Sequence, residues 1–191
     1  MYKTQVLSPS SIPLDLGKHS HLFGKPKAMN HKDISQLIQR FADTASKAEQ
    51  AGFDGIQIHA AHGYLISQFL SPLTNQRKDE FGGSIENRMR LLISIVQAIR
   101  ATVSSSFAVA VKINSADFQR GGFDADDAKA VIKALNTLDI DLVELSGGSY
   151  ESPSMQGSAT QDTDADGRTL QREAYFLEFA KDIAQVATIL L

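Results

Sequence analysis

Two histidines and a tyrosine follow an apolar segment near residue 59. His59, His62 and Tyr64 form the pattern His-x-x-His-x-Tyr, and a long polar loop runs from there to Gly83. Two imidazole N–H donors that point at one oxygen stabilise the negative charge that develops on it in a transition state. A phenol, with an ordinary pKa of about 10, stays protonated at neutral pH and can act as a general acid. The pattern therefore indicates a site where charge builds on an oxygen and a proton is delivered nearby.

Structural and metal-binding interpretations compete with this one. A single histidine at the end of a strand is more often a hydrogen-bonded structural residue, and a tyrosine there can be an aromatic packed at the rim. His-x-x-His also suggests zinc, but zinc proteases carry His-Glu-x-x-His at i,i+4 on a helix, with the glutamate as base. Here the spacing is i,i+3, Ala60 replaces the glutamate, and the sequence offers no evident third ligand.

Lys112 is a further candidate because of the residues around it. The segment 107–114 is almost continuously apolar, which is typical of a parallel strand covered on both faces. A charge in such a segment is costly without a partner, which favours a functional role. The alternative is a lysine whose stem runs along the strand end and carries its ammonium group to water.

Alternating helix and strand patterns position these residues. After an irregular segment over residues 1–30, interrupted by Pro and Gly, the predicted order is α-β-α-β-α-β-α. This alternation predicts parallel strands with right-handed crossovers. An open doubly wound sheet and a (β/α)₈ barrel both fit it. The predicted helices lie between Asn30 and Gly52, from Ser84 through Ile99, from Asp124 to Leu138 and over 172–187; the strands cover 53–59, 107–114 and 141–145.

The stretch from residue 52 to 90 resembles the signature of the old yellow enzyme family, the flavin-dependent ene reductases. The resemblance continues less densely from about Ser8 to the C-terminus. It implies a (β/α)₈ TIM barrel that holds FMN at the carboxyl ends of its strands, with NADPH or NADH as reductant and α,β-unsaturated carbonyl compounds as substrates. The residues that carry it are His59-Ala-Ala-His62-Gly63-Tyr64, Phe69-Leu-Ser-Pro-Leu-Thr-Asn75 and Asp79-Glu-Phe-Gly-Gly83-Ser-Ile-Glu-Asn87-Arg88.

The resemblance also implies a role for each candidate. His59 and His62 fall at the pair that binds the substrate's carbonyl oxygen, and Tyr64 falls at the proton donor. Lys112 falls where the family has an Arg or Lys against the flavin pyrimidine ring, and a fixed cation there favours the anionic reduced flavin. Further residues of the signature are interpreted as structural supports of the long loop and the helix after it: Arg77, Asp79, Glu80, Asn87 and Arg88.

The length of the chain limits how much of such a barrel it contains. A barrel typically needs about 250 residues, and this chain has 191. We expect a single incomplete domain over residues 1–191, corresponding to roughly strands four to six with helices three to six. The expected function is an FMN-dependent oxidoreductase that reduces activated C=C bonds. The alternatives are an inactive fragment of such an enzyme that does not retain FMN, and a metal-dependent barrel hydrolase.

Composition narrows the class of protein further. The net charge is −3 and basic residues are scattered, so a nucleic-acid partner is not expected. The chain has no cysteine, which excludes disulfides and thiolate metal sites. No apolar run approaches the roughly 18 residues that span a bilayer. We therefore expect a cytoplasmic protein with a small-molecule substrate, and homo-oligomer formation stays open.

Overall fold

Helices and strands alternate along the chain in a computed structural model that describes residues 6–149, 151 and 179–191. No helix within these stretches is long and apolar enough to cross a lipid bilayer. In chain order the elements are β1 (Leu7–Ser8), a 3₁₀ helix (Gly17–Leu22), β2 (Lys27–Ala28), α1 (His31–Gln50), β3 (Gly55–Ala60), α2 (Leu65–Leu70), α3 (Ile85–Arg88), α4 (Arg90–Arg100), β4 (Ala108–Asn114), α5 (Ala125–Leu135) and β5 (Leu142–Ser146).

A parallel sheet with strand order β3-β4-β5 forms the centre of the fold. Ile58 lies opposite Val111, and Val111 lies opposite Val143. These three side chains are buried against α1, α4 and α5, whereas Gln57 and Glu144 on the other face are exposed. Among the described residues, helices cover only the first of these faces. A doubly wound sheet carries helices on both faces, so the one-sided cover favours a barrel, whose helices form an outer ring. We call the uncovered face the inner face.

The hydrophobic core lies between the sheet and the helices. Each fully buried aliphatic side chain contributes roughly 1.5–3 kcal/mol through removal of apolar surface from water. Every second residue of a strand points to the same face, so β4 contributes three valine and isoleucine side chains to this core. The largest fully buried side chains are Phe69, Ile34, Ile58, Ile66, Leu70, Leu91, Leu92, Ile95, Ile99, Ile113, Ile132 and Leu135.

Helix α1 begins and ends where the sequence predicts. The Asn30 side chain accepts a hydrogen bond from the backbone N–H of Asp33, and the Asp33 carboxylate accepts one from the backbone N–H of Asn30. This reciprocal capping box satisfies two donors that the first turn leaves unpaired. Gly52, with φ of +88°, follows the helix in the left-handed conformation that glycine adopts without a Cβ clash. Both predicted boundaries are confirmed.

The prediction of an uninterrupted polar loop from Tyr64 to Gly83 is wrong, because helix α2 lies within it. Ile66, Phe69 and Leu70 are buried at i, i+3 and i+4 spacing and form one apolar side of a six-residue helix. Pro72 follows the C-cap residue Ser71 and prevents continuation of the helix. An apolar stretch this short does not establish a helical period in the sequence.

The helix predicted from Ser84 is assigned as two helices, α3 and α4, with Met89 between them. Ser84 is the N-cap residue, as its place at the predicted helix start implies, and its side chain makes no capping hydrogen bond. The Met89 N–H donates to the carbonyl of Ile85 at 2.8 Å, and the Ile93 N–H donates to the carbonyl of Met89 at 3.0 Å. Helical hydrogen bonds therefore cross the junction. The buried apolar side of α4 consists of Leu91, Leu92, Ile95, Val96 and Ile99.

Backbone pairing also occurs near the two ends of the described chain. In the segment expected to be irregular, β1 and β2 pair in parallel, and Met29 after β2 donates its N–H to the carbonyl of Ser8 at 2.9 Å. At the other end, Leu190 forms a parallel bridge with Leu142. The helix predicted over 172–187 lies largely outside the described residues; residues 179–184 are helical.

Gly55 occupies a position where β3 has no room for a side chain. A Cβ at this residue would lie 2.5 Å from the carbonyl oxygen and 2.7 Å from the Cβ of Ala108, which pairs with it across β3 and β4. The contact involves backbone, so relief requires one strand to shift.

We predict that Gly55→Ala lowers the free energy of unfolding by about 1–3 kcal/mol, because overpacking displaces the start of β3. Urea denaturation followed by circular dichroism measures the change. Gly24→Ala is the matched control, since a Cβ there meets nothing within 4 Å. Equal stability of the two variants would contradict the close packing at Gly55.

Arg88, the last residue of α3, connects this helix to α5, to the end of α2 and to the loop that precedes α3. Its guanidinium group forms a bidentate ion pair with Asp127 at 2.9 and 3.0 Å and also donates to the carbonyl oxygens of Leu70 and Gly83. The Arg88 side chain is only 8% exposed. The predicted structural role of this residue agrees with these contacts.

We predict that Arg88→Ala destabilises the protein by about 3–5 kcal/mol, because it leaves the Asp127 carboxylate partly buried without its partner. Chemical denaturation provides the measurement. Arg90→Ala is the control: Arg90 is exposed, and its hydrogen bonds to Glu80 and Asn87 face water. A decrease of less than about 1 kcal/mol in the free energy of unfolding of Arg88→Ala would show that the ion pair with Asp127 contributes little to stability.

Candidate active site

The candidate site lies at the carboxyl ends of the three parallel strands. His59 is the last inner-face residue of β3, and it pairs in register with Lys112 of β4. Lys112 in turn pairs with Glu144 of β5. Because side chains alternate along each strand, these three project from the same face in one row. Parallel barrels carry chemistry at this end of the sheet.

The side chains of His59, His62 and Tyr64 form a cluster of three rings. The ring centroids of His59 and Tyr64 are 4.8 Å apart, and those of His59 and His62 are 5.2 Å apart with the rings almost perpendicular, at 87°. Tyr64 is 46% exposed, so its ring is open on one side. The structure thus brings together the three residues that the sequence predicts to act together.

A tight left-handed turn places His62 beside His59. The φ angles of His62 and Gly63 are +61° and +75°, and the Tyr64 N–H donates to the carbonyl of Ala61 at 3.2 Å. Glycine adopts this conformation readily, but a residue with a side chain is uncommon there and is held by its surroundings. The turn reverses the chain directly after β3, which returns the His62 ring over the inner face.

Both imidazoles are biased towards their neutral form. Burial lowers the pKa of His59 from its ordinary value, and the nearby Lys112 cation lowers it further, against an opposing effect of Glu144. Burial also lowers the pKa of His62, with additional contributions from His59 and Lys112. A lowered pKa keeps each ring uncharged at neutral pH, so that one nitrogen donates a hydrogen bond and the other accepts one.

Hydrogen bonds orient the two rings differently. The backbone N–H of Ala61 donates to Nδ1 of His59 at 3.3 Å, which places the ring proton of neutral His59 on Nε2. Nε2 of His62 lies 2.6 Å from Oγ of Ser146, the last residue of β5. The His62 ring is therefore fixed from β5, which lies beyond β4 in the sheet, and His59 keeps a hydrogen-bond donor on the ring side away from its own backbone.

Lys112 has a partner that the sequence interpretation did not anticipate. Its Nζ lies 2.7 Å from Oε1 of Glu144, whose Oε2 accepts a hydrogen bond from Nε2 of Gln57 at 2.9 Å. Hydrogen bonds from Lys112 and from Gln57 lower the pKa of Glu144. The expectation that β4 is covered on both faces is not met within the described residues, because Ala108 is exposed and Lys112 is only partly buried.

Glu144, Gln57 and Ser146 are the site residues that sequence reasoning missed. A signal for Glu144 existed, because β4 ends in Lys-Ile-Asn and β5 ends in Glu-Leu-Ser, so both charges lie two residues before the strand end. Adjacent parallel strands that end at the same level place such residues side by side. No comparable signal identified Gln57 or Ser146, whose roles depend on the cross-strand register.

The loop after β3 is held by the side chains predicted to support it. Nε and Nη2 of Arg77 form two hydrogen bonds with Asp79, at 2.9 and 2.5 Å, and Nη1 donates to the carbonyls of Pro9 and Met29. The Asn87 amide donates to the carbonyl of Gly82 at 3.1 Å. These contacts link the signature region to the segment that precedes α1.

One group of three metal-capable side chains exists in the described part of the chain, and it does not include His59 or His62. Ligand atoms of His31, Asp79 and Glu80 lie within 4.8 Å of one another. Asp79 already accepts two hydrogen bonds from Arg77, and His31 is the first residue of α1, where the positive end of the helix opposes a cation. The group is explained as ion pairs at a helix start.

Comparison with known proteins identifies the family. Residues 3–190 match the NADH:flavin oxidoreductase / NADH oxidase family. The NADH-dependent flavin oxidoreductase nadA of Aspergillus parasiticus is 40% identical over 182 residues, which cover 95% of this chain and 40% of that protein. The NADPH dehydrogenase of Geobacillus thermodenitrificans is 40% identical over 144 residues, which cover 75% of this chain and 40% of the relative.

A solved structure agrees with this assignment. The old yellow enzyme homologue from Zymomonas mobilis superposes with a TM-score of 0.66 at 32% sequence identity, over 78% of this chain and 46% of that one. The chain belongs to the NADH:flavin oxidoreductase / NADH oxidase family. Its described strands and helices form part of a (β/α)₈ barrel, as the sequence resemblance implied. The chain spans about two fifths of the length of these two curated relatives.

The two charged residues on the inner face, Lys112 and Glu144, have opposite effects on the pKa of His59. Lys112→Met removes a cation that disfavours imidazolium, so the pKa of His59 should rise; Glu144→Gln removes an anion that favours it, so the same pKa should fall. A pH titration of the imidazole resonances by NMR measures both shifts.

Lys129→Met is the control for this titration, because Lys129 pairs with Asp126 and Asp182 on the helical side of the fold. It should leave the pKa of His59 unchanged. Shifts in the same direction for Lys112→Met and Glu144→Gln would rule out direct electrostatic control by this pair.

Proposed function

We propose that this chain carries the substrate-facing residues of an FMN-dependent oxidoreductase that reduces activated C=C bonds of α,β-unsaturated carbonyl compounds with NADH or NADPH. The observation that supports it most strongly is the ring cluster of His59, His62 and Tyr64, with ring centroids about 5 Å apart at the carboxyl end of β3. Two neutral imidazoles and a phenol on one small surface suit a reaction that charges an oxygen and protonates a carbon.

The two histidines would bind and polarise the carbonyl group of the substrate. Their lowered pKa values keep them neutral at pH 7, so each supplies an N–H donor without carrying a net charge. Addition of hydride to the β-carbon moves negative charge onto the carbonyl oxygen. Donors fixed in advance stabilise that charge more in the transition state than in the ground state, which is the condition for acceleration.

Tyr64 would deliver the proton that completes the reduction. Its ring contacts His59, which places the phenol next to the proposed carbonyl-binding pair, and the side chain is half-exposed. A proton donor beside the carbonyl group can reach the α-carbon of the same substrate, because the α-carbon is bonded directly to the carbonyl carbon. Proton transfer by a positioned side chain contributes about 10²- to 10⁴-fold to a rate.

The inner face has a donor set that fits the pyrimidine edge of FMN. The Lys112 ammonium and the Gln57 amide are donors suited to ring carbonyl oxygens, and the Glu144 carboxylate is an acceptor suited to a ring N–H. When bound, FMN would supply the hydride. Lys112 would hold the pyrimidine side of the ring, and its contact with Glu144 keeps the ammonium group in the row with His59.

Flavin binding and hydride transfer can be tested separately from alkene reduction. The purified protein is titrated with FMN, and flavin absorbance is followed after addition of NADH or NADPH. Binding followed by bleaching supports the oxidoreductase. A protein that takes up no FMN supports the alternative, an inactive fragment of such an enzyme.

We predict that Tyr64→Phe lowers the rate of alkene reduction by about 10²- to 10⁴-fold, because it removes the proton donor, while NAD(P)H still bleaches the bound flavin. Stopped-flow absorbance measures the two half-reactions separately. Phe53→Ala serves as the control, since Phe53 is 65% exposed before β3 and outside the ring cluster. Equal loss of both half-reactions in Tyr64→Phe would remove the tyrosine from the acid role.

A further inference from the structure

Asn114, the last residue of β4, is buried beneath the turn that carries His62. It is 1% exposed, and its side-chain oxygen accepts a hydrogen bond from the backbone N–H of His62 at 3.2 Å. The residues are 52 positions apart in the chain, so the contact is tertiary. Asn114 therefore holds the backbone of one of the two proposed carbonyl-binding residues from a neighbouring strand.

The orientation of the Asn114 amide is determined by its other contacts. Its Nδ2 donates to Oδ1 of Asp117 at 2.9 Å and to the carbonyl of Gly148 at 2.8 Å. Two acceptors on one side require the NH₂ group there, because an oxygen facing two oxygens would be repelled. The amide oxygen must then face the His62 N–H.

The acceptors that fix the amide are themselves held in place. Asp117 is 3% exposed, and its Oδ2 accepts a hydrogen bond from the Phe123 N–H at 3.2 Å. Gly148 donates its N–H to the carbonyl of Ala116 at 3.1 Å. The amide of Asn114 is thus supported by the loops after both β4 and β5, so its position is not free to relax.

The His62 ring is held by Ser146, the residue that pairs with Asn114 on the adjacent strand. Asn114 and Ser146 are partners in the register of β4 and β5, and Oγ of Ser146 contacts Nε2 of His62 at 2.6 Å. One pair of strand ends therefore holds both the backbone and the ring of His62. This arrangement keeps the residue in its left-handed conformation, at φ of +61°, with its ring against His59.

We propose that Asn114 is a positioning residue for His62: its amide oxygen holds the strained turn that places the second imidazole of the carbonyl-binding pair. The functional part of this inference rests on the proposed function, whereas the positioning itself does not. The planar amide of asparagine is suited to this role, because its oxygen can accept from His62 while its NH₂ group donates to two further groups.

The test compares Asn114→Ala with Ser115→Ala. Ser115 is the next residue, it is fully buried, and its hydroxyl donates to the carbonyl of Ser146 at 3.0 Å without contacting His62. Both variants remove buried polar atoms from the same junction. Only Asn114→Ala removes the acceptor of the His62 N–H, so the pair separates specific positioning from general loosening.

The first readout is NMR of His62 and needs neither flavin nor substrate. In Asn114→Ala, hydrogen exchange of the His62 amide should accelerate about tenfold, as expected for loss of one buried hydrogen bond. The His62 imidazole should titrate closer to its ordinary pKa, because its ring is less enclosed. Ser115→Ala should change neither value. No change in Asn114→Ala, or equal changes in both variants, overturns the inference.

The second readout applies to the flavin-loaded protein. In Asn114→Ala, the KM for the alkene should rise about tenfold, because one carbonyl donor is misplaced, while reduction of flavin by NAD(P)H is unchanged. If the wild-type protein reduces no alkene, the proposed function fails, but the NMR comparison still decides the positioning role. Should Asn114→Ala fail to fold, Asn114→Ser, which is too short to span the three groups, replaces it in both measurements.

Discussion

The site depends on the parallel register of β3, β4 and β5. Because this register pairs His59 with Lys112 and Lys112 with Glu144, the three side chains form one row although they come from positions far apart in the chain. A shift of one residue would exchange the faces of a strand and move its polar side chains into the hydrophobic core. The alternating valines and isoleucines of β4, buried against the helices, prevent such a shift. Core packing and site geometry are therefore consequences of the same alignment.

Within that alignment, charge is balanced locally. Glu144 pairs with Lys112, so the positive charge of Lys112 in this row is compensated by a carboxylate next to it. Burial lowers the pKa of both histidines, and the Lys112 cation lowers it further, against an opposing effect of Glu144. Their neutral form is the one that can donate and accept hydrogen bonds at the same time. The arrangement gives two uncharged donors beside a fixed ion pair.

Local sequence patterns predicted the parts of this structure that depend on nearby residues. The caps of α1 at Asn30 and Gly52, the three strands and the meeting of His59, His62 and Tyr64 follow from periodicity, turn residues and the signature motif. Contacts that depend on register did not, because a single sequence does not state which residues face each other across strands. Lys112 with Glu144 and Asn114 with His62 belong to this group. Helix α2 was missed because six residues are too few to establish a period.

The alternation along β4 divides two requirements between successive residues. Val109, Val111 and Ile113 are fully buried and determine stability, whereas Ala110 and Lys112, on the intervening positions, are only partly covered. Random mutagenesis over residues 109–113 should therefore give stable proteins more often for substitutions at Ala110 and Lys112 than for substitutions at the three buried positions. Substitutions at Ala110 and Lys112 leave this buried row in place, so the inner surface that these two positions form can change without loss of core packing.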